Sequence, residues 1–179
     1  MSTRIILFSD THGSKTGLEY CDSVLSDEKP DYVIHLGDDY TDADRFIEQG
    51  FNVIRVPGTW TEEYKNFRVP NRRFEVIEGW RFFLTHTPTA HYNDLADDID
   101  PEKVLTDMSC DIFCHGHTHR PEIIEKETLT ILNPGHCNHL DRRGYLPSYA
   151  KIDVSTSKAC IQIFQLLERE ESLSKVLLK

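Results

Sequence analysis

The chain has 179 residues, with 20 Lys and Arg against 30 Asp and Glu, a formal net charge of −10, and 39% hydrophobic and 28% charged residues. That length suits one domain with its own core, and the composition is too apolar for disorder. The acidic balance disfavours a protein that grips long nucleic acid by neutralising phosphates, and no apolar run approaches the roughly 18 residues that cross a bilayer. Met1–Arg4 leads into a strand-like run without the apolar stretch of a signal peptide. The five Cys are scattered, with no CxxC pair, which reads as free thiols in a reducing compartment. A cytoplasmic protein with no membrane partner is expected.

The run Arg4–Phe8 is continuously apolar, the pattern of a strand covered on both faces. It stops at Ser9-Asp10. Leu18, Cys21, Val24 and Leu25 then form one stripe of a helix that Pro30-Asp31 breaks. A second buried strand, Tyr32–Leu36, ends at Gly37-Asp38-Asp39. A short helix carries Phe46 and Ile47, and a third strand, Asn52–Val56, ends at Pro57-Gly58. This alternation predicts an α/β fold with parallel pairing. Phe74–Ile77 and Arg81–Leu84 flank Glu78-Gly79-Trp80 as a hairpin. Asp100-Pro101 opens a further helix with a side-chain cap and a proline in its first turn. The strand Asp111–Cys114 runs into His115-Gly116-His117-Thr118-His119. Short strands follow near Ile123, at Thr130–Leu132, Ser148–Val154 and Cys160–Phe164. Residues 166–179 place Leu166, Leu167, Leu173, Val176 and Leu177 at near-helical spacing. They are expected to form a helical tail on a main domain of residues 1–165, packed on a partner subunit or on its own domain.

Four strand ends finish in residues that bind metals: Asp10-Thr11-His12, Gly37-Asp38, Thr85-His86 and Gly116-His117-Thr118-His119. Ligands of α/β sheets gather at the carboxyl ends of the strands. The mixture of carboxylate and imidazole suits Zn, Mn, Fe or Ni. His117 and His119 are two apart and share a side of an extended backbone. A carboxylate between two metals is a common hydrolase device.

In order and spacing these motifs, with the final Asn133-Pro134-Gly135, resemble the calcineurin-like metallophosphoesterases, in particular their small YfcE-like phosphodiesterase branch. The resemblance spans roughly residues 4–165. It implies a four-layer α/β/β/α sandwich with two divalent metal ions (Mn, Ni, Zn or Fe) at one edge. It further implies hydrolysis of a small phosphoester by a hydroxide activated on those ions. Asp10, His12 and His119 would bind the first metal, Asp38 would bridge, and His86 and His117 would bind the second. Asp38 and His86 are thereby the candidate catalytic residues, and Asn133 and Gly135 would shape a turn near the site.

One family position departs. A Gly-Asn followed by His or Cys usually ends the third strand, and here the segment is Gly58-Thr59-Trp60. Thr59 stands in place of an amide ligand, which predicts a weak second site unless Glu62 or Glu63 supplies an oxygen. Trp60 stands in place of a protonating histidine, with His91 as a substitute donor. Losing that proton favours phosphodiesters with good leaving groups over monoesters. Tyr40, Thr59 and Arg120 are the candidate substrate contacts, with Arg142 and Arg143 as further phosphate clamps. The alternative is a metal-degenerate scaffold of the same fold that binds protein partners.

Overall fold

The computed structural model describes residues 2–179. Two β-sheets pack face to face. The first has six strands: β1 (Thr3–Phe8), β2 (Tyr32–His35), β3 (Val53–Arg55), β9 (Ser148–Ser155), β10 (Lys158–Gln165) and β11 (Glu171–Leu178), in the order β11-β10-β9-β1-β2-β3. The second has β4 (Arg72–Ile77), β5 (Trp80–Thr85), β6 (Ile112–Cys114), β7 (Glu122–Lys126) and β8 (Leu129–Asn133), in the order β4-β5-β6-β8-β7. Pairing is parallel along β1-β2-β3 and along β5-β6-β8, and antiparallel elsewhere.

Strand periodicity explains the layers. In β1, Ile5 and Leu7 point between the sheets, where they join Ile34, Phe82, Leu84, Ile112, Leu132 and Ile152. Ile6 and Phe8 point to the opposite face and pack beneath α1 (Lys15–Glu28) and α2 (Asp44–Glu48), against Leu18, Leu25 and Phe46. The outer face of the second sheet is covered by α3 (Pro101–Thr106), whose Val104 packs with Phe83, Phe113 and Leu129. A strand buried on both faces reads as a continuous apolar run. This is the expected α/β/β/α arrangement.

The local signals act as read. Ser14 caps α1 by accepting from the Gly17 amide at 3.2 Å, and Asp100 caps α3 by accepting from the amides of Glu102 and Lys103. Glu78 and Gly79 both take positive φ, 50° and 79°, which a two-residue hairpin turn between twisted strands requires. Among the described residues no helix is long and apolar enough to cross a membrane.

The helical tail is a correction. Residues 171–178 form a strand that pairs antiparallel with β10, from Lys158–Leu178 to Phe164–Glu171. Leu173, Lys175 and Leu177 alternate with Ser174, Val176 and Leu178. That alternation fits a strand as well as the spacing fits a helix. The open edge of β10, reached through a tight connection at Leu166–Glu170, decides between them. Leu166 is buried in the outer core, and Leu177 packs against the core between the sheets.

Candidate metal centre

Each candidate ligand stands just beyond a strand, and close backbone contacts lock the strand ends together. The Asp10 amide donates to Gly37 O at 2.8 Å, joining the loops after β1 and β2. The Gly116 amide donates to His86 O at 3.0 Å, joining those after β6 and β5. The Cys137 amide donates to Ser9 O at 3.1 Å, so the segment after β8 crosses to the other sheet. Glycine is required where these loops touch. A Cβ on Gly58 would lie 2.2 Å from Asp38 O, and one on Gly116 would lie 1.9 Å from Ser9 Oγ. Asp10, His12, His117 and His119 all take left-handed φ, from 51° to 65°. Non-glycine residues seldom hold that conformation, and such strain clusters at functional sites.

The structure brings the six expected side chains together. His12 Nε2 lies 3.0 Å from His119 Nε2, and His119 Nε2 lies 3.1 Å from Asp10 Oδ1. His86 Nε2 lies 3.3 Å from His117 Nδ1. Asp38 stands between the two groups. Its Oδ2 touches His12 Nδ1, and its Oδ1 lies 4.0 Å from His86 Nε2. One carboxylate thus offers one oxygen to each half.

Neighbouring groups fix where lone pairs point. His86 Nδ1–H donates to Leu36 O at 2.8 Å, which leaves Nε2 facing the cluster. His119 Nδ1 lies 2.6 Å from Asp141 Oδ2, which likewise leaves its Nε2 against Asp10. Asp10 Oδ2 is occupied by the Ser9 hydroxyl at 2.6 Å and the His117 amide at 2.9 Å. Either a proton or a metal cation on His119 Nε2 would satisfy the facing Asp10 oxygen. Oxygen and imidazole donors in this set fit a borderline divalent ion.

Burial works to raise the Asp10 carboxyl, but His119, His86 and the Ser9 hydroxyl outweigh it and hold the group far below the ordinary range. Asp38 shows the same contest, with burial opposed by His12 and His86, and is also lowered. The bond to Asp38 raises His12, while burial and then the neighbouring His86 lower His117. The site therefore holds its carboxylates ionised.

Residues 3–157 match the family model described as the calcineurin-like phosphoesterase superfamily domain. The chain belongs to the calcineurin-like phosphoesterase superfamily. Phosphodiesterase MJ0936 of Methanocaldococcus jannaschii is 24% identical over 150 residues, covering 75% of this chain and 84% of that protein. The structure of YfcE, a phosphoesterase from E. coli, superposes with a TM-score of 0.71 at 19% identity, covering 96% of this chain and 98% of the other. Vacuolar protein sorting 29 from Cryptosporidium parvum superposes with a TM-score of 0.75 at 20% identity, covering 99% of each chain. The two structures share the fold. The family is one of metal-dependent phosphoesterases.

Beside the cluster lies a cavity of about 570 Å³, lined by His12, Asp38, Asp39, Tyr40, Thr41, Trp60, Thr61, Glu62 and Glu63. Tyr40 and both glutamates line this cavity. Trp60 is 64% exposed and stands edge-on to His91 and Tyr92, with ring centroids 5.7 and 5.5 Å away. Thr59 is fully buried. Its carbonyl accepts from Asn93 Nδ2 at 2.9 Å, and its hydroxyl has no partner among the described residues. Arg120 is not among the lining residues. Its Nε turns to Glu122 at 3.5 Å, and the side chain is 62% exposed. Arg143 donates to His117 O at 3.1 Å. Asn133 holds the histidine turn, donating to Thr118 Oγ1 at 2.8 Å and accepting from the Gly135 amide at 2.9 Å.

Sequence reading missed Asp141 and His136. His136 is fully buried, its ring 5.2 Å from that of His119, and burial lowers its pKa. Its place directly after Asn133-Pro134-Gly135 was the available signal.

Proposed function

We propose that the chain hydrolyses small phosphodiesters with two divalent ions. Asp10, His12 and His119 would hold the first ion, His86 and His117 the second, with Asp38 shared between them. The convergence of Asp10, His12 and His119, with His119 Nε2 3.1 Å from Asp10 Oδ1 and 3.0 Å from His12 Nε2, is the observation that carries this reading. Bound ions of this kind acidify water and neutralise charge on phosphoryl oxygens. The protein's part is to fix the donors, and the loop contacts described above do so. Tyr40 and Trp60 supply a wall for the group beyond the phosphate.

The preference for diesters rests on the same cavity. Apart from the shared Asp38, Asp39, Glu62 and Glu63 line it, with no Lys or Arg among the lining residues. A phosphomonoester carries about −1.5 to −2 near neutral pH, whereas a diester carries a single charge. Like charge along the wall penalises the monoester more. Trp60, an indole whose only polar atom is a weakly acidic N–H donor, is a poor proton source for a leaving group, which favours aryl or other stable leaving groups. The test pairs metal analysis of purified protein with bis(p-nitrophenyl) phosphate and p-nitrophenyl phosphate. Faster turnover of the diester with added Mn²⁺ is expected. Preference for the monoester, or no hydrolysis with any divalent ion, would overturn the reading.

The second site should be the weaker, because Thr59 offers a buried hydroxyl in place of an amide oxygen. Calorimetric titration with Mn²⁺ should resolve one tight and one loose site, and Thr59→Asn should tighten the loose one. Two equally tight sites in the parent would show that Glu62, Glu63 or water completes the second. Vps29 shares the fold, which keeps the protein-binding scaffold as the alternative. Six converging donors favour the hydrolase, since a scaffold has no physical need of them.

A further inference from the structure

The loop Asn138–Arg143 touches both histidines of the Gly-His-Thr-His turn. Asp141 Oδ2 accepts from His119 Nδ1 at 2.6 Å. Its other oxygen accepts from the Arg143 amide at 2.7 Å, so the carboxylate is held from behind. Arg143 Nη1 donates to His117 O at 3.1 Å. The same loop is tied to the first strand end, where His139 Nδ1 lies 2.9 Å from Ser14 Oγ. His117 and His119 both hold left-handed backbone, with φ of 65° and 61°. A turn of that kind persists only when its surroundings over-determine it.

We propose that Asp141 is a positioning residue for the first metal. Its carboxylate selects the His119 tautomer protonated on Nδ1, which presents the Nε2 lone pair beside Asp10, and Arg143 clamps the neighbouring His117 carbonyl through the same loop. The proposal rests on the metallophosphoesterase reading. A carboxylate behind a metal-binding histidine orients the ring and strengthens it as a donor, and losing such a partner typically costs 10–100-fold in metal affinity. The His119 and Asp141 side chains are only 2% and 8% exposed, so a carboxylate placed there for structure alone would show its loss in the stability of the metal-free protein. The two roles therefore separate: a positioning Asp141 acts on metal affinity, a merely structural one on stability.

Asp141→Asn is the informative variant. An amide can turn its N–H toward His119 Nδ1 and stabilise the wrong tautomer, as neutral replacements do behind other functional histidines. The experiment titrates parent, Asp141→Asn and Asp141→Glu with Mn²⁺ and with Zn²⁺ by calorimetry. Imidazole ¹⁵N shifts and melting of the metal-free proteins accompany it. Asp141→Asn should weaken the tighter site about 10–100-fold and shift the His119 nitrogens toward the Nε2–H pattern. Asp141→Glu should recover part of the affinity. Metal-free melting should stay at the parent value. Unchanged affinity in Asp141→Asn overturns the proposal alone, as does a loss matched by a fall in metal-free melting. A parent chain that binds neither ion overturns the metallophosphoesterase reading as well.

Discussion

Asp38 presents one carboxylate oxygen to His12 and the other toward His86, so its charge is shared by both halves of the cluster. An amide cannot serve two cations in that way. Asp38→Asn should lower turnover by more than about 100-fold, beyond the range for losing an outer partner of a ligand. Near-parent hydrolysis by that variant with any divalent ion would sink the shared-carboxylate role. His35, fully buried beneath the site with Nε2 3.2 Å from Thr11 Oγ1, has a different effect. Burial pushes its pKa down to about 4. The folded chain keeps this ring neutral until about pH 4, while an unfolded chain protonates it below about 6.5. The unfolded state binds more protons between those values, so stability falls as pH drops from 6.5 to 4, on the order of 3 kcal/mol in total. Unfolding of metal-free protein across that window should show a shallower slope for His35→Gln. An identical slope would assign the acid sensitivity to other groups. The candidate ligand positions were legible because each follows an apolar run at a short fixed offset. Asp141 was not, because its partner His119 lies 22 residues earlier in the chain, and only the fold of an irregular loop brings them together.

The buried strands β1, β2 and β6 announce themselves, since double coverage removes polar residues from the run. β11 is the contrary case. Leu173, Val176 and Leu177 satisfy a helical stripe, and the deciding fact, an unpaired edge on β10, belongs to another part of the sequence. Its end is anchored by Lys179, whose Nζ donates to Gly79 O at 2.6 Å and lies 3.0 Å from Asp111. Lys175 meets Glu125 of β7 at 2.6 Å, so the tail also ties the two sheets. Deleting residues 171–179 should expose the β10 edge and lower the melting temperature by about 5 °C or more. Association of the truncated chain, seen by light scattering, is also expected, because an open edge templates further pairing. Unchanged melting and unchanged mass would show that β11 is dispensable.

The centre is assembled from two sheets: Asp10, His12 and Asp38 from one, His86, His117 and His119 from the other. Gly116 marks the seam, where a side chain would lie 1.9 Å from Ser9 Oγ and 2.6 Å from Asp10 Oδ2. Gly116→Ala should therefore push the sheets apart at this edge and lower Mn²⁺ affinity at least about 10-fold, since misplacing an ordered ligand shell costs that much. Parent-like affinity would mean that the seam yields without moving the ligands. The sheets also differ in how their strands are spread along the chain. The second is built wholly from residues 72–133, whereas β1 is hydrogen-bonded on one side to β2 and on the other to β9, Ile5 pairing with Ile152. At about 5–20 residues per second, a ribosome delivers β9 roughly 7–30 s after β1. Throughout that interval Ile5, Ile6, Leu7 and Phe8 wait with one flank unpaired. The nascent chain should thus carry a half-built sheet as a client for chaperones, and should acquire its metal only after release.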